Sequence, residues 1–245
     1  MTQPASRLNL PILLCWLAAC SMSTASTPRR VRKIAILTDR SPSMEDGQKS
    51  SCAGVQALAV VGFSLPDVGT RSRLQLFATG DGGGHTLVAL GGPLAVPAPV
   101  GGDDAGAKQV YREIDAEAVG RTCREHMQQT DVSPLWLSIK EVVAQVRSWG
   151  CDADHPCTIL VQSDMQEHTE ASIEAALAGR ASRPSSRGNA SAAGLLPPPL
   201  DLAEIEVRIC GLGASNDVVS SGLRSRAESV WGQLLPGATF TGICQ

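Results

Sequence analysis

The stretch Val31-Arg32-Lys33-Ile34-Ala35-Ile36-Leu37-Thr38-Asp39-Arg40-Ser41-Pro42-Ser43-Met44 decides how the rest of the chain is read. A short apolar run passes straight into polar residues, as a parallel strand buried on both faces does. The same pattern returns at Thr158-Ile159-Leu160-Val161-Gln162-Ser163, again followed by polar residues, Asp164-Met165-Gln166-Glu167. Further strands are expected at Arg73 to Thr79, at Thr86 to Leu90 across a glycine-rich turn, at Ile205 to Cys210 and at Thr239 to Cys244.

Helical patterns separate these strands. Asp46 to Val60, Ala107 to Gln129, Glu170 to Gly179 and Leu223 to Leu235 fit helices. Pro134 sits well at a helix start, after which Leu135, Ile139, Val142, Val143 and Val146 share one face. Gly91 to Gly106 reads as loop, and 180–199, rich in Ser, Arg, Gly and Pro, as a long mobile loop. Strands alternating with helices predict an α/β fold: a doubly wound, mostly parallel sheet with helices on both faces. In such Rossmann-like sheets ligands sit beyond the carboxyl ends of the strands, where strand order reverses.

The 245 residues carry 43% hydrophobic and 18% charged side chains, enough for one core and too apolar for a disordered chain. A net charge of −3, one Tyr and three Phe leave neither a basic face nor stacking platforms, so nucleic acid is not an expected partner. Residues 1–19 read as a signal peptide: Arg7 precedes an apolar run of about twelve residues, too short to span a bilayer. The end, Leu17-Ala18-Ala19-Cys20, resembles the lipobox of bacterial lipoproteins, in which the Cys is lipidated and becomes the new N-terminus. Cleavage after Ser23-Thr24-Ala25 is the rival. The first reading makes 20–30 a lipidated Cys20 with its tether, and 31–245 the folded domain. Either reading exports the protein.

Export changes what the eight cysteines mean. Cys15 leaves with the leader and Cys20 takes the lipid, so Cys52, Cys123, Cys151, Cys157, Cys210 and Cys244 become disulfide candidates. Cys151-Asp152-Ala153-Asp154-His155-Pro156-Cys157 could be a small metal loop, but in an exported chain it reads better as a disulfide closing a turn.

The oxygen donors gather at the strand ends. Asp39, Ser41 and Ser43 follow the first strand and Asp164 follows the fourth, while Thr130 lies ahead of the helix that begins near Pro134. Hard oxygen donors without His or Cys suit Mg²⁺ or Mn²⁺ and not Zn²⁺. Asp131, beside Thr130, is an alternative donor, although a helix N-terminal cap explains it better.

Asp39-x-Ser41-x-Ser43, Thr130 and Asp164, in this order and each after the right kind of element, resemble the metal-ion-dependent adhesion site of von Willebrand factor type A domains. The resemblance covers nearly all of the mature chain. It implies a six-stranded sheet with one short antiparallel strand, and makes the first and fourth strands neighbours. It also implies that Ser41, Ser43 and Thr130 give hydroxyls to the cation while Asp39 and Asp164 act through water or by orienting those hydroxyls. A partner's acidic side chain would complete the shell. Strands ending in Cys210 and Cys244 are neighbours in the family's sheet, so a bridge there is reasonable; Cys52 and Cys123 would then be the remaining pair. Where this family commonly has Gly after the last Asp, the chain has Met165, a bulkier residue expected at the rim.

The expectation is therefore a non-enzymatic cell-envelope domain that binds an acidic residue of a protein partner through Mg²⁺ or Mn²⁺. The lipid would hold it in a membrane, with Ser21 leaning towards the outer one, facing the periplasm or the exterior. The alternatives are a scaffold with a vestigial metal site and a metal-dependent hydrolase. For a serine hydrolase, Ser41 and Ser43 lack a nucleophile elbow, and His85, His126, His155 and His168 show no metal spacing.

Overall fold

The computed structural model describes residues 32–41, 44, 51–64, 73–81, 86–95, 105–128, 130–167, 169–179, 196–211 and 221–241. The strands are β1 (Lys33–Thr38), β2 (Arg73–Thr79), β3 (Leu87–Ala89), β4 (Leu94–Ala95), β5 (Cys157–Gln162), β6 (Ile205–Cys210) and β7 (Thr239–Thr241). The helices are α1 (Ser51–Ser64), α2 (Ala105–His126), α3 (Leu135–Arg147), α4 (Ala171–Leu177) and α5 (Ser221–Leu234).

The sheet has seven strands: the six expected run β3-β2-β1-β5-β6-β7, and β4 pairs β2 beside this path. β1 is parallel to both neighbours, with Thr38 level with Ala78 on one side and with Gln162 on the other. Among the described residues two strands run antiparallel, β3 and β4, both against β2, where the resemblance implied one. β4 falls inside the stretch expected as loop. It is the continuation of β3 after Gly91-Gly92-Pro93, a sequence that cannot keep an edge strand unbroken. The helix expected to end at Val60 continues to Ser64, because Phe63 is buried beneath it.

Alternation along the buried strands divides the core. Ile34 and Ile36 with Leu74, Leu76 and Leu160 face α1 and α2, where Val55, Leu58, Val119 and Cys123 meet them. Ala35 and Leu37 with Ile159, Val161, Val207 and Ile209 face the other way, onto Ile139, Val142 and Val146 of α3 and Val230 and Trp231 of α5. Both sides of β1 and β5 are thereby sealed from water, so their continuous apolar runs are a consequence of helices on two faces. Leu196 and Leu200, at the end of the segment expected as a mobile loop, pack against the second cluster; 180–195 lie outside the described residues.

Disulfides join Cys52 of α1 to Cys123 of α2 and Cys151 to Cys157. Cys210 is itself disulfide-bonded, while Cys244, the partner expected for it, lies outside the described residues. So do the leader, Cys20 and the tether. Among the described residues no helix is long and apolar enough to cross a membrane.

Sequence separations of 71 and 6 residues set the two bonds apart energetically. Loop-closure entropy assigns the Cys52–Cys123 bond about 4 kcal/mol and the Cys151–Cys157 bond about 2 kcal/mol. Paired Cys→Ala variants, unfolded in urea at one temperature, are expected to lose stability in that order.

Candidate metal centre

β1 ends where its hydrogen bonding to β5 has one more rung. The Asp39 N–H donates to the Gln162 carbonyl at 2.9 Å, so the strand register delivers Asp39 to the tip of the sheet beside Ser163. Asp39 is fully buried. Its Oδ1 accepts the Ser41 N–H at 2.9 Å, and its Oδ2 accepts the Ser163 hydroxyl at 2.8 Å. The first bond folds the chain back on itself as an Asx turn; the second ties the tips of β1 and β5 together.

Ser163 passes the constraint on, since its Oγ also accepts the Met165 N–H at 2.8 Å. The Asp164 N–H points to Met44 Sδ at 3.1 Å, and Asp164 Oδ1 accepts the Gln166 N–H at 3.1 Å. Asp39, Ser41 and Asp164, all buried, are therefore braced as one unit. Gly211 lies against this turn with φ +104°, and a Cβ there would sit 2.8 Å from the Ser163 carbonyl oxygen. Only glycine lets β6 leave the sheet so close to Ser163.

Arg40 ties in the third loop. Its Nε donates to the Thr79 carbonyl at 2.6 Å and its Nη1 to the Gln128 carbonyl at 3.0 Å. Its own carbonyl accepts the Thr130 N–H at 3.3 Å. Burial holds the guanidinium below its ordinary pKa, opposed by the nearby charges of Asp81 and Asp39. Thr130 is thus brought to the tip of β1, half-buried, and its hydroxyl donates to the Val132 carbonyl at 2.9 Å. Ser43 and Pro42 lie outside the described residues.

The sequence reading passed over Ser133. It is fully buried, and its hydroxyl oxygen meets no hydrogen-bond partner among the described residues. A buried hydroxyl left unpaired costs about 1–3 kcal/mol, so a hydroxyl in this position, on a loop fastened to the tip of β1, is one that fits a cation. A serine immediately before a proline at a helix start was the available signal; it reads equally as a turn. Among the described residues no three His, Cys, Asp or Glu side chains group as a metal site.

Two sequence expectations are corrected. Asp131 is exposed and does not cap the helix: α3 has Pro134 at its N-cap, and the Trp136 N–H goes instead to Glu167. Met165 is not a rim residue but 1% exposed, inside the core on the α3 and α5 side. Its φ of 64° turns the chain inward, and Trp231 Nε1 donates to its carbonyl at 2.9 Å. A left-handed conformation costs a non-glycine residue about 1 kcal/mol. The buried thioether and the indole hydrogen bond offset that strain.

This makes a reversed preference at position 165 the expected result. Met165→Ala and Met165→Gly each lose about 2–4 kcal/mol of packing. Glycine should nevertheless be the more stable of the two by about 1 kcal/mol, because only alanine keeps the backbone strain. Guanidinium unfolding of both variants checks the sign.

No protein-family model and no curated protein matches the sequence. Among solved structures the chain is similar to an aerotolerance-related membrane protein from Bacteroides fragilis, at 12% identity and a TM-score of 0.42 over 86% of this chain and 90% of that one. BatB from Bacteroides thetaiotaomicron is similar at 14% identity and a TM-score of 0.39, over 86% and 90% of the two chains. Manganese-loaded TRAP protein from Plasmodium vivax gives 11% identity and a TM-score of 0.44, over 87% of this chain and 69% of that one. These scores are low, and the α/β architecture rests on the chain's own strand order, with β1 next to β5 at the tip that gathers Asp39, Ser41 and Asp164.

Proposed function

We propose that this chain is an exported protein-binding domain whose strand-tip site holds Mg²⁺ or Mn²⁺ and, through it, an acidic side chain of a protein partner. The observation that carries the reading is the buried, unpartnered Ser133 hydroxyl on a loop pinned to the tip that holds Asp39, Ser41 and Asp164. Ser41 and Ser43 supply hydroxyls from the first loop. Of the two hydroxyls in the next loop, Ser133 is favoured over Thr130, which already donates to Val132. Asp39 orients Ser41 and Ser163 and balances charge, and Asp164 offers its carboxylate from the β5 side.

The cation supplies positive charge that neutral hydroxyls leave under-neutralised, which draws a carboxylate from outside. The residues of the chain fix where that carboxylate docks. Export with lipidation at Cys20 accounts for the leader and agrees with the Cys52–Cys123 and Cys151–Cys157 disulfides and the bonded Cys210, since such bonds persist in oxidising compartments. On this reading the chain is a binding protein and not an enzyme.

Calorimetric titration of the full-length protein with MgCl₂ and MnCl₂ tests the site. Wild type should bind, and Asp39→Ala should abolish binding. Ser133→Ala should weaken it by about ten-fold or more, while Thr130→Ala should do less. Pull-down from envelope extract with wild type and Asp39→Ala, each with Mg²⁺ or EDTA, then asks whether capture needs the ion. Absence of Mg²⁺ and Mn²⁺ binding would sink the metal reading, and capture indifferent to EDTA would leave a scaffold that uses another surface.

A further inference from the structure

We infer that Glu167 is a positioning residue of the cation site: a buried carboxylate that locks the Ser133 loop against the Asp164 loop and so sets the spacing of their oxygen donors. The inference rests on the proposed metal site and names a residue that no strand-tip motif includes. Glu167 is 2% exposed. Its Oε2 accepts the Trp136 N–H at 2.6 Å. Its Oε1 accepts the Thr169 N–H at 2.8 Å, the Thr169 hydroxyl at 2.6 Å and the Glu170 N–H at 3.1 Å.

Each half of this contact answers a local need. α3 begins behind Pro134, which has no side-chain oxygen to cap the first turn, and no side chain of its own N-cap does so. Helix N-termini carry unpaired N–H groups and favour a negative charge. Glu167 meets both requirements from a loop 31 residues away. The turn before α4 has the same need, because Glu170 at its N-cap makes no side-chain cap bond. One carboxylate serves both, with donors on each oxygen.

Its place in sequence gives the clamp its consequence. Ser133 stands three residues before Trp136, and Asp164 three residues before Glu167. Thr130 at the other end of the first loop is fastened to the Arg40 carbonyl. The Ser133 segment is therefore held at both ends, once to the β1 tip and once to the β5 loop. Burying a carboxylate is costly unless donors repay its desolvation, and an ordinary Ser or Asp at the N-cap would cap α3 without that cost. What the distant carboxylate adds is register between two loops. Groups that orient metal ligands from behind act in this way on affinity.

The test compares Mg²⁺ titration and thermal unfolding in EDTA for full-length wild type, Glu167→Gln and Val146→Ala. Val146 is a buried residue at the far end of α3 and controls for destabilisation alone. Glutamine keeps the size of the side chain but turns an amide N–H₂ toward an N–H donor, breaking one arm of the clamp. Glu167→Gln is expected to weaken Mg²⁺ binding by about ten-fold or more, while Val146→Ala lowers the melting temperature and keeps the wild-type dissociation constant. Should Glu167→Gln not fold, Thr169→Val, which deletes one donor to Oε1, is expected to weaken Mg²⁺ binding in the same direction. Folded variants that bind Mg²⁺ like wild type would overturn the inference and leave the metal site standing. A wild type that binds neither Mg²⁺ nor Mn²⁺ overturns the site itself and the inference with it.

Discussion

The hydrogen bond from the Ser163 hydroxyl to Asp39 Oδ2 is the constraint on which the rest of the strand-tip structure depends. It joins residues 124 apart in sequence, and it exists because β1 and β5 are parallel neighbours in register. β1 is where the sheet reverses: the chain reaches β2 on one side through α1, and β5 on the other through α3. Loops leaving two adjacent strands toward opposite faces open a crevice between them. Bridging that crevice with a buried carboxylate and a hydroxyl turns two strand ends into one rigid platform.

The platform concentrates buried polarity. Thr38, Asp39, Arg40, Ser41, Gln162, Ser163, Asp164 and Glu167 are all buried at one end of the sheet, while the residues beneath them in β1 and β5 are almost wholly apolar. Such groups are tolerated only when paired. Backbone donors and acceptors do most of the pairing: Arg40 uses the Thr79 and Gln128 carbonyls, Asp39 the Ser41 N–H, Glu167 the N–H groups of Trp136, Thr169 and Glu170. Loops held this way cannot shift singly. Ser133, with its hydroxyl unpaired among the described residues, stands out against that background.

How much of this was legible follows from the range of the forces involved. β1 and β5 announce themselves because burial on two faces imposes a continuous apolar run, and β6 because one face more buried than the other imposes alternation. The position of Asp39 and Asp164 at strand ends follows from where the runs of β1 and β5 stop. The face of α3 is equally local, and Leu135, Ile139, Val142, Val143 and Val146 are all buried as its periodicity requires. Ser133 and Glu167 were invisible for the opposite reason. A serine before a proline and a glutamate in a loop have ordinary local explanations, and only the docking of α3 against the β5 loop makes them partners. Met165 was misread because its left-handed backbone, which sends the side chain into the core, is set by Trp231 66 residues away. β4 was missed because two residues carry no period.

Arg40 gives the platform its charge balance. A buried guanidinium is an odd neighbour for a proposed cation site, since it competes for the same carboxylate. Its hydrogen bonds go to carbonyls, however, and the carboxylate charges that act on it are Asp81 first and Asp39 second. On the proposed reading the two carboxylates of the site share that one fixed positive charge with Asp81, and Glu167 adds a further buried carboxylate behind them. Arg40 thus offsets part of the acidic charge at the tip while fastening the loop that carries Thr130 and Ser133.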